Sequence, residues 1–567
     1  MTPDQGLQQE YSPADHGQAL LEATEALRDE LVDRHVEVPD AIQENLTSLR
    51  QSFSFDPGWL KLAPLQEVHS QLAALMAKPP SGAAGSAEGR DGSTALLRFV
   101  RSYVPELFHD VDKEPYATVL VKGVAQTLAV WSDAFRHWLA HTLYRLRGSG
   151  VSRQALDAMI EILAAEAQFD GSEHAVFTRV GSRDTVLVID LGDESWSSIV
   201  VHGGAWSINE GHPIKFRRPR TALALPTPVP GGSIDRLWNY VNVDKAQQPL
   251  VLAFALAALM PRGPYPHLAL QGEQGTAKST AARYLKRLID PSKAPLRALP
   301  STEVELANAT SHGHVLVLDN LSHITPNISD ALCRLSTGGG LSKRKLYSDN
   351  DEVVLEAQRP VILTSITDII TRPDLADRAY HVRLQYIEPS SRRSETELDA
   401  EFERDAPLIL GALLDALAAA QAGFVGVSLT ETPRLADAAR LAVAAEATLG
   451  LPPGSMEQAL INNSQHLDLA QLAAEPWTRP LEALTAERDL DLTPTDLLAE
   501  LTRHASEAEV AEPGFPRSAK ALSQKLDRIA PVLRRRGLEV RRTQTAGSNS
   551  QRRIEIKRVD RSSTSGN

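Results

Sequence analysis

The residues best suited to chemistry are a glycine-spaced turn and the polar groups after it: Gly272, Glu273, Gln274, Gly275, Thr276, Ala277, Lys278, Ser279 and Thr280. An apolar run, Leu268-Ala269-Leu270, enters this turn, and a helical pattern from Ala281 to Ile289 leaves it. A loop laid out this way between a strand and a helix can cradle phosphate. Gly272 and Gly275 permit the tight turning that lets backbone N–H groups face an anion. The helix N-terminus adds partial positive charge at the same point. In this pattern Lys278 reaches the β- and γ-phosphates and the Ser279 hydroxyl ligates Mg²⁺, so the implied cofactors are ATP and Mg²⁺. The usual spacing, G-x-x-x-x-G-K-[ST], has glycine where this chain has Ala277. Alanine is small and accepts a helical conformation, so the loop is expected to survive. The competing reading is a chance glycine-rich turn; the flanking strand and helix patterns weigh against it.

Such chemistry needs a second acidic group for the cation. His314-Val-Leu-Val-Leu-Asp-Asn320 supplies a continuous apolar strand ending in Asp319, of the kind buried on both faces of a parallel sheet. Asp319 is expected on the neighbouring strand, holding Mg²⁺ directly or through water. Asn320 follows it. An amide can position water but cannot take its proton, so hydrolysis is slow or a carboxylate from elsewhere serves, with Glu303 and Asp330 as candidates. A third apolar strand is Pro360 to Ser365. Between the second and third strands, Thr337-Gly-Gly-Gly340 leads into Lys343, Arg344, Lys345 and Tyr347. The pattern suggests a hairpin or loop presenting three cations, either as a grip on a phosphate backbone or as a solvated turn.

The elements that must position these groups lie in a chain of 567 residues, long enough for three or four domains. Hydrophobic residues at 42% and charged residues at 23% are ordinary for a globular protein. A lone cysteine, Cys333, excludes an internal disulfide and fits a reducing cytoplasm. No signal peptide and no apolar run of membrane-spanning length is read; Pro249 to Met260 suggests a short buried helix. The net charge of −13 argues against a chain that coats nucleic acid, but the last fifty residues are strongly basic.

In order, the expected organisation is a helical region (1–78), with apolar periodicity in Ala19–Val32 and Leu65–Met76, then a flexible linker (79–93). A small α+β domain (94–225) follows, with helices at Leu97–Leu107, Phe135–Leu146 and Arg153–Phe169 and strands at 116–121, 185–190 and 198–202. Within it Trp138, Trp196 and Trp206 read as core anchors, and Lys215 to Arg220 as a basic loop that either touches nucleic acid or is solvated. The ATPase core (226–395) precedes a helical lid (396–510). A basic winged-helix-like domain (511–559) and a disordered tail (560–567) complete the chain. In that domain Ser518 caps a helix to Ile529, Ala530 to Arg536 forms a second short helix, and two strands follow. Arg517, Lys520, Arg535, Arg541 and Arg552 are its nucleic-acid candidates.

At Gly272–Thr280, Leu318–Ser322, Ser329–Leu335, Thr337–Gly340, Arg359–Leu363 and Arg372–Arg378 the chain resembles a group of bacterial and phage-borne P-loop ATPases. These occur in mobile elements and are related to AAA+/superfamily-3-type replicative helicases; the C-terminal part resembles modules of phage primase–helicases. The resemblance spans about residues 95 to 420. It implies an α/β fold with a P-loop NTPase core on a parallel sheet. Thr364 and Ser365 stand where such proteins sense the γ-phosphate, and Arg378 where ring ATPases place an arginine reaching a neighbour's nucleotide. The alternative for Arg378 is pairing with Asp374 or Asp377 in its own helix. An ATP-driven motor is implied, a helicase or translocase acting on single-stranded or forked DNA and assembled as a hexameric ring of identical copies, with no membrane. The alternative is a nucleotide-dependent switch that binds DNA or protein without unwinding. Lys278, Ser279 and Asp319 together argue against a third reading, a regulatory module with a dead site.

Overall fold

Aliphatic runs without polar alternation fold as strands covered on both faces, and such strands make the central sheet. The computed structural model describes residues 40–55, 103–147, 149–344, 352–544 and 551–559, with scattered positions between 21 and 101. The linker and tail expected at 79–93 and 560–567 lie outside the described residues. The chain divides into two units: 1–178 with 193–198 and 208–218, and 179–192 with 199–207 and 219–567.

In the first unit, strands Glu106–His109, Pro115–Val121 and Val124–Ala129 pair antiparallel. Helices Asp133–Arg147 and Arg153–Phe169 share one core with them through Phe135, Leu139, Leu143 and Leu163. The helix expected at Leu97–Leu107 gives way to a strand from Glu106, because the Asp110–Glu114 turn folds Phe108 back onto Tyr116. The basic segment at 215–220 is engaged within this unit: Lys215 pairs with Glu106, and the Arg218 guanidinium lies 3.9 Å from the Trp196 ring centroid. Leu21 and Leu31, and Val68 and Leu72, are helical and buried, at the periodic positions read from sequence.

The second unit is built on β1 (His267–Gln271), with helix α1 (Lys278–Ile289) after it. β2 (Leu316–Leu321) comes next. The hairpin strands β3 (Gly340–Arg344) and β4 (Glu352–Glu356) follow, and then β5 (Val361–Ser365) and β6 (Ala379–Arg383). The central sheet runs β2-β5-β1-β6, parallel throughout. β2 is therefore not the immediate neighbour of β1, as the sequence reading had it; β5 lies between them. The helix Gln248–Ala258, buried from Pro249 onward, packs into the same core as α2 (Glu395–Gly423) and the strand pair Val180–Arg183 and Val186–Asp190. That shared core places residues 179–192 in this unit rather than in a domain ending at 225. Trp206 is tied there too, donating Nε1 to Asp415 at 2.7 Å.

α2 is long and apolar enough to cross a membrane by length and composition, contrary to the sequence reading. Phe402, Ile409, Leu410, Leu413 and Leu417 bury one face of it in the core. Its start is fixed by a capping box between Ser394 and Glu397.

After α3 (Ser455–Ala473) come α4 (Thr478–Glu487), β7 (Leu490–Leu492), α5 (Pro494–His504), α6 (Ala519–Arg535), β8 (Leu538–Gln544) and β9 (Arg552–Arg558). They form one module with an antiparallel sheet ordered β7-β9-β8. Its core runs from Leu472 and Trp477 to Ile556, so the module begins near 472 rather than 511. α6 is one helix, not two. Pro531 removes a donor, but Leu522, Leu526, Ile529 and Leu533 keep one continuous buried stripe across it.

The far end of α1 is held by a buried ionic cluster. Asp290 accepts from Arg179 Nε at 3.2 Å, Lys286 Nζ at 3.3 Å, and the backbone N–H groups of His314 (2.7 Å) and Val315 (3.0 Å). Burial pushes the Asp290 carboxyl up, but Lys286 and Arg179 outweigh it and hold the group below the usual carboxylate range. Asp290→Ala would leave two buried cations uncompensated. A loss of about 3–5 kcal/mol in denaturant unfolding is expected; a loss under about 1 kcal/mol would show the cluster to be dispensable. Because the folded value is depressed, this stabilisation is present above the unfolded carboxyl pKa of 3.8 and fades as pH falls below it.

Candidate functional site

Four parallel strands bring their carboxyl ends to one edge, where loops can converge on a ligand. At that edge β1 ends at Gln271, and residues 272–277 turn into α1. Gly272 is required by crowding, since a Cβ there would lie 2.5 Å from Thr276 Oγ1. Gly275 has φ +88°, the left-handed region that favours glycine. Ala277 caps α1 at φ 61°, ψ 33°, with no side-chain hydrogen bond to the helix end. It is therefore left-handed, not helical as the sequence reading supposed, at a cost of about 1–2 kcal/mol. With no side chain capping them, the first N–H groups of α1 are free to take an anion.

Lys278 folds back over the loop, with Nζ donating to Gly272 O (2.8 Å) and Glu273 O (2.7 Å). Burial lowers its ammonium pKa, and the Asp319 carboxylate partly restores it. Ser279 Oγ donates to Asp319, 2.8 Å from Oδ1 and 3.0 Å from Oδ2. Thr364, fully buried on the intervening β5, donates to Asp319 Oδ1 at 2.6 Å. The ladder between β2 and β5 is irregular between Leu318 and Leu321. Within that bulge Asn320 is left-handed at φ 57° and donates its N–H to Thr364 Oγ1 at 2.8 Å. Asparagine accepts this conformation more readily than most residues. A backbone requirement thus accompanies the departure noted at position 320.

The structure brings Lys278, Ser279, Asp319, Asn320 and Thr364 together. Glu303 and Asp330 are both in ion pairs, with Arg334 at 2.6 Å and Arg372 at 2.8 Å. Arg378 stands apart. β6 begins beside His267, at the end of β1 away from the loop. The Arg378 side chain is only 7% exposed and donates Nη1 to Asp374 O at 2.5 Å. The partner is a main-chain carbonyl, not the Asp374 or Asp377 carboxylate of the local-pairing alternative.

Sequence reasoning missed two features beside the loop. Arg392, just ahead of the Ser394 cap, brings Nη2 to 2.8 Å from where a Gly275 Cβ would stand. A cleft of about 480 Å³ adjoins Glu273 and Thr276 of the loop and is walled by Asp244, Arg383, Gln385 and Tyr386. A basic pair ahead of a capping box was the available signal for the first; the second joins segments 141 residues apart and had none.

Of the cations proposed for nucleic acid, Lys343 and Arg344 lie on the β3–β4 hairpin, as expected, and Lys345 lies outside the described residues. Arg517, Lys520, Arg541 and Arg552 are exposed on the C-terminal module. Arg535 is not an available surface cation. It grips Asp468 of α3, with Nε 2.9 Å from Oδ2 and Nη2 2.6 Å from Oδ1, and it also reaches Asp377 at 3.3 Å. Burial of Asp468 is what recruits it.

Residues 234–464 match a family model described as actinomycete integrative conjugative element replication protein, and residues 473–565 match its C-terminal domain. The chain is a mobile-element replication protein. The second match begins where the C-terminal core begins, at Leu472. Among solved structures, the apo A form of the NrS-1 C-terminal region is 12% identical, with 82% of this chain and 99% of that one covered and a TM-score of 0.37. An apo structure of NrS-1 residues 305–718 is 13% identical, covering 83% and 100%, with a TM-score of 0.35. A search of curated proteins found no match.

Ala277→Gly should relieve the left-handed strain and raise thermal stability by up to about 1 kcal/mol, the gain being trimmed by unfolded-state entropy. A fall in stability would show that the Cβ at 277 costs nothing there.

Proposed function

We propose that this replication protein binds and hydrolyses ATP at the loop formed by residues 272–280 and uses the energy to act on DNA. The observation that supports it best is the Ser279–Asp319 contact, which joins the start of α1 to the end of β2. One hydroxyl and one carboxylate are hard oxygen donors. They suit a Mg²⁺ ion that keeps several waters and takes phosphate oxygens for the rest. Among the described residues no group of three metal-ligating side chains competes with this site. Ser279 and Asp319 would hold the ion, whose charge offsets that of the phosphates. The N–H groups of α1 and the Lys278 ammonium would face the β- and γ-phosphates once Lys278 exchanges its loop carbonyls for them. Thr364 fixes the orientation of Asp319, and the exposed Asn320 carboxamide beside it would be the polar group that positions water.

The DNA-facing surfaces in this reading are the β3–β4 hairpin and the C-terminal module. In this reading the helices α4, α5 and α6 and the sheet β7-β9-β8 would act as a winged-helix-like module. A ring-forming helicase or translocase is the form of the proposal that uses both surfaces. A second reading is a nucleotide-dependent switch that binds DNA without unwinding it. It is favoured by Asn320, which cannot accept a proton, and by the engagement of Glu303 and Asp330 in ion pairs.

Unwinding of a forked duplex with ATP and Mg²⁺ is expected for the wild type and should be abolished in Lys278→Ala; Asp319→Asn should reduce ATP turnover at least a hundredfold. Equal unwinding by wild type and Lys278→Ala would remove the site from the mechanism. ATP binding without turnover would select the switch.

Replacing Arg541 and Arg552 with alanine is expected to weaken DNA binding and to reduce its salt dependence by about two released ions. Arg535→Ala should instead lower thermal stability, because it strands Asp468, and leave the salt slope unchanged. The reverse pattern would make Arg535 the DNA contact.

A further inference from the structure

In the first unit, helix Arg153–Phe169 buries Leu156, Met159, Ile160, Leu163, Ala164 and Ala167. The outer face of a helix buried on one side is ordinarily polar. Here it carries a second apolar line. Ala158, Ile162, Ala165 and Phe169 are all exposed, Ile162 at 44% and Phe169 at 84%. Their 4-3-4 spacing sets them in one row along the helix, the spacing of a seam that a single partner helix covers. Large and small residues alternate in the row, so the two alanines leave room for bulky side chains of that partner. Gln168 Nε2 donates to Lys113 O at 3.0 Å, which sets the Asp110–Glu114 turn against the end of the helix. Val111 on that turn is 69% exposed, a further aliphatic in solvent at that end. Carboxylates border the row. Glu161 precedes Ile162, Asp170 follows Phe169, and Asp112 lies on the turn; all three are exposed, and no ion pair among the described residues neutralises them. Asp157 and Glu166 of the same helix are paired, with Arg136 and Arg101. The one cation of the helix, Arg153, lies at its start and faces Asp157 at 3.8 Å.

We propose that this face docks a basic amphipathic helix of a partner protein, one with large apolar residues in its seam and Lys or Arg beside them. The row supplies the apolar anchors of a helix-on-helix contact, and Phe169 is the largest of them, an aromatic of the kind that interfaces enrich. The unneutralised carboxylates decide the charge of the occupant. A second copy laying the same helix here would bring Glu161 and Asp170 against carboxylates of its own kind, and an anionic membrane surface would be repelled in the same way. Lysine or arginine flanks instead pair with them. These residues belong to the first unit and the phosphate loop to the second, so the inference stands independently of the nucleotide reading.

Fluorescence anisotropy of the full chain with two labelled synthetic helices tests this. Both carry leucine in the seam; one has lysine and the other glutamate at the flanking positions. The lysine peptide should bind at least about tenfold more tightly than the glutamate peptide, and added salt should narrow the gap. Phe169→Ala and Ile162→Ala should each weaken the lysine peptide about tenfold, and Glu161→Gln should reduce its advantage over the glutamate peptide. Both truncated side chains are exposed, so the core of the unit stays in place. The proposal is overturned if the two peptides bind alike, or if Phe169→Ala leaves the affinity of the lysine peptide unchanged. It is also overturned if sedimentation of the wild type alone shows an association that Phe169→Ala abolishes, because the occupant is then a second copy.

Discussion

One carboxylate organises the carboxyl edge of the sheet. Asp319 accepts from Ser279 at the start of α1 and from Thr364 on β5, so three successive pieces of the fold are registered through a single side chain. The arrangement depends on the bulge at 319–320, which turns Asp319 toward α1 although β5 lies between the two strands. Thr364 serves twice: its hydroxyl donates to Asp319 and accepts from the Asn320 N–H.

Backbone conformation explains two residues that depart from the familiar pattern. Ala277 and Asn320 are both left-handed. At 277 the chain carries a Cβ where glycine would be unstrained, so the loop keeps a small reservoir of strain next to Lys278. At 320 the side chain suits the bulge, and the identity of the residue follows from the local fold as much as from chemistry. Strain and bulge occur on opposite sides of the Ser279–Asp319 contact.

Much of this architecture was legible because long apolar runs and a glycine-spaced loop have few alternative folds. The strands at 268–270, 314–320 and 360–365, the helix at Arg153–Phe169 and the β3–β4 hairpin were readable in that way. Strand order was not. Nothing in the sequence says that β5 inserts between β1 and β2, because parallel strands carry no marker of their neighbours. β6 was overlooked since Tyr380-His381-Val382 is too short and mixed to stand out. The module boundary near 472 was hidden because Trp477 and Leu481 read as part of a helical bundle until the strands that cover them are seen. Two predicted cations are already engaged within the chain. Arg378 and Arg535 look like functional cations in a string of letters, and both turn inward to oxygen atoms of their own chain. The cleft at Tyr386 joins segments far apart in sequence and left no trace in either.

Arg535 gives the two family segments a mechanical relationship. Its guanidinium leaves α6 of the C-terminal module and is received by Asp468 of α3 and by Asp377, just ahead of β6. The modules are therefore riveted rather than strung on a tether. A pull on the small basic module would be felt at Asp377, next door to Arg378 and one turn of chain from the strand that borders β1. Cutting the protein between the two segments would not yield a pair of untouched parts, since each fragment would be left holding half of a broken charge pair.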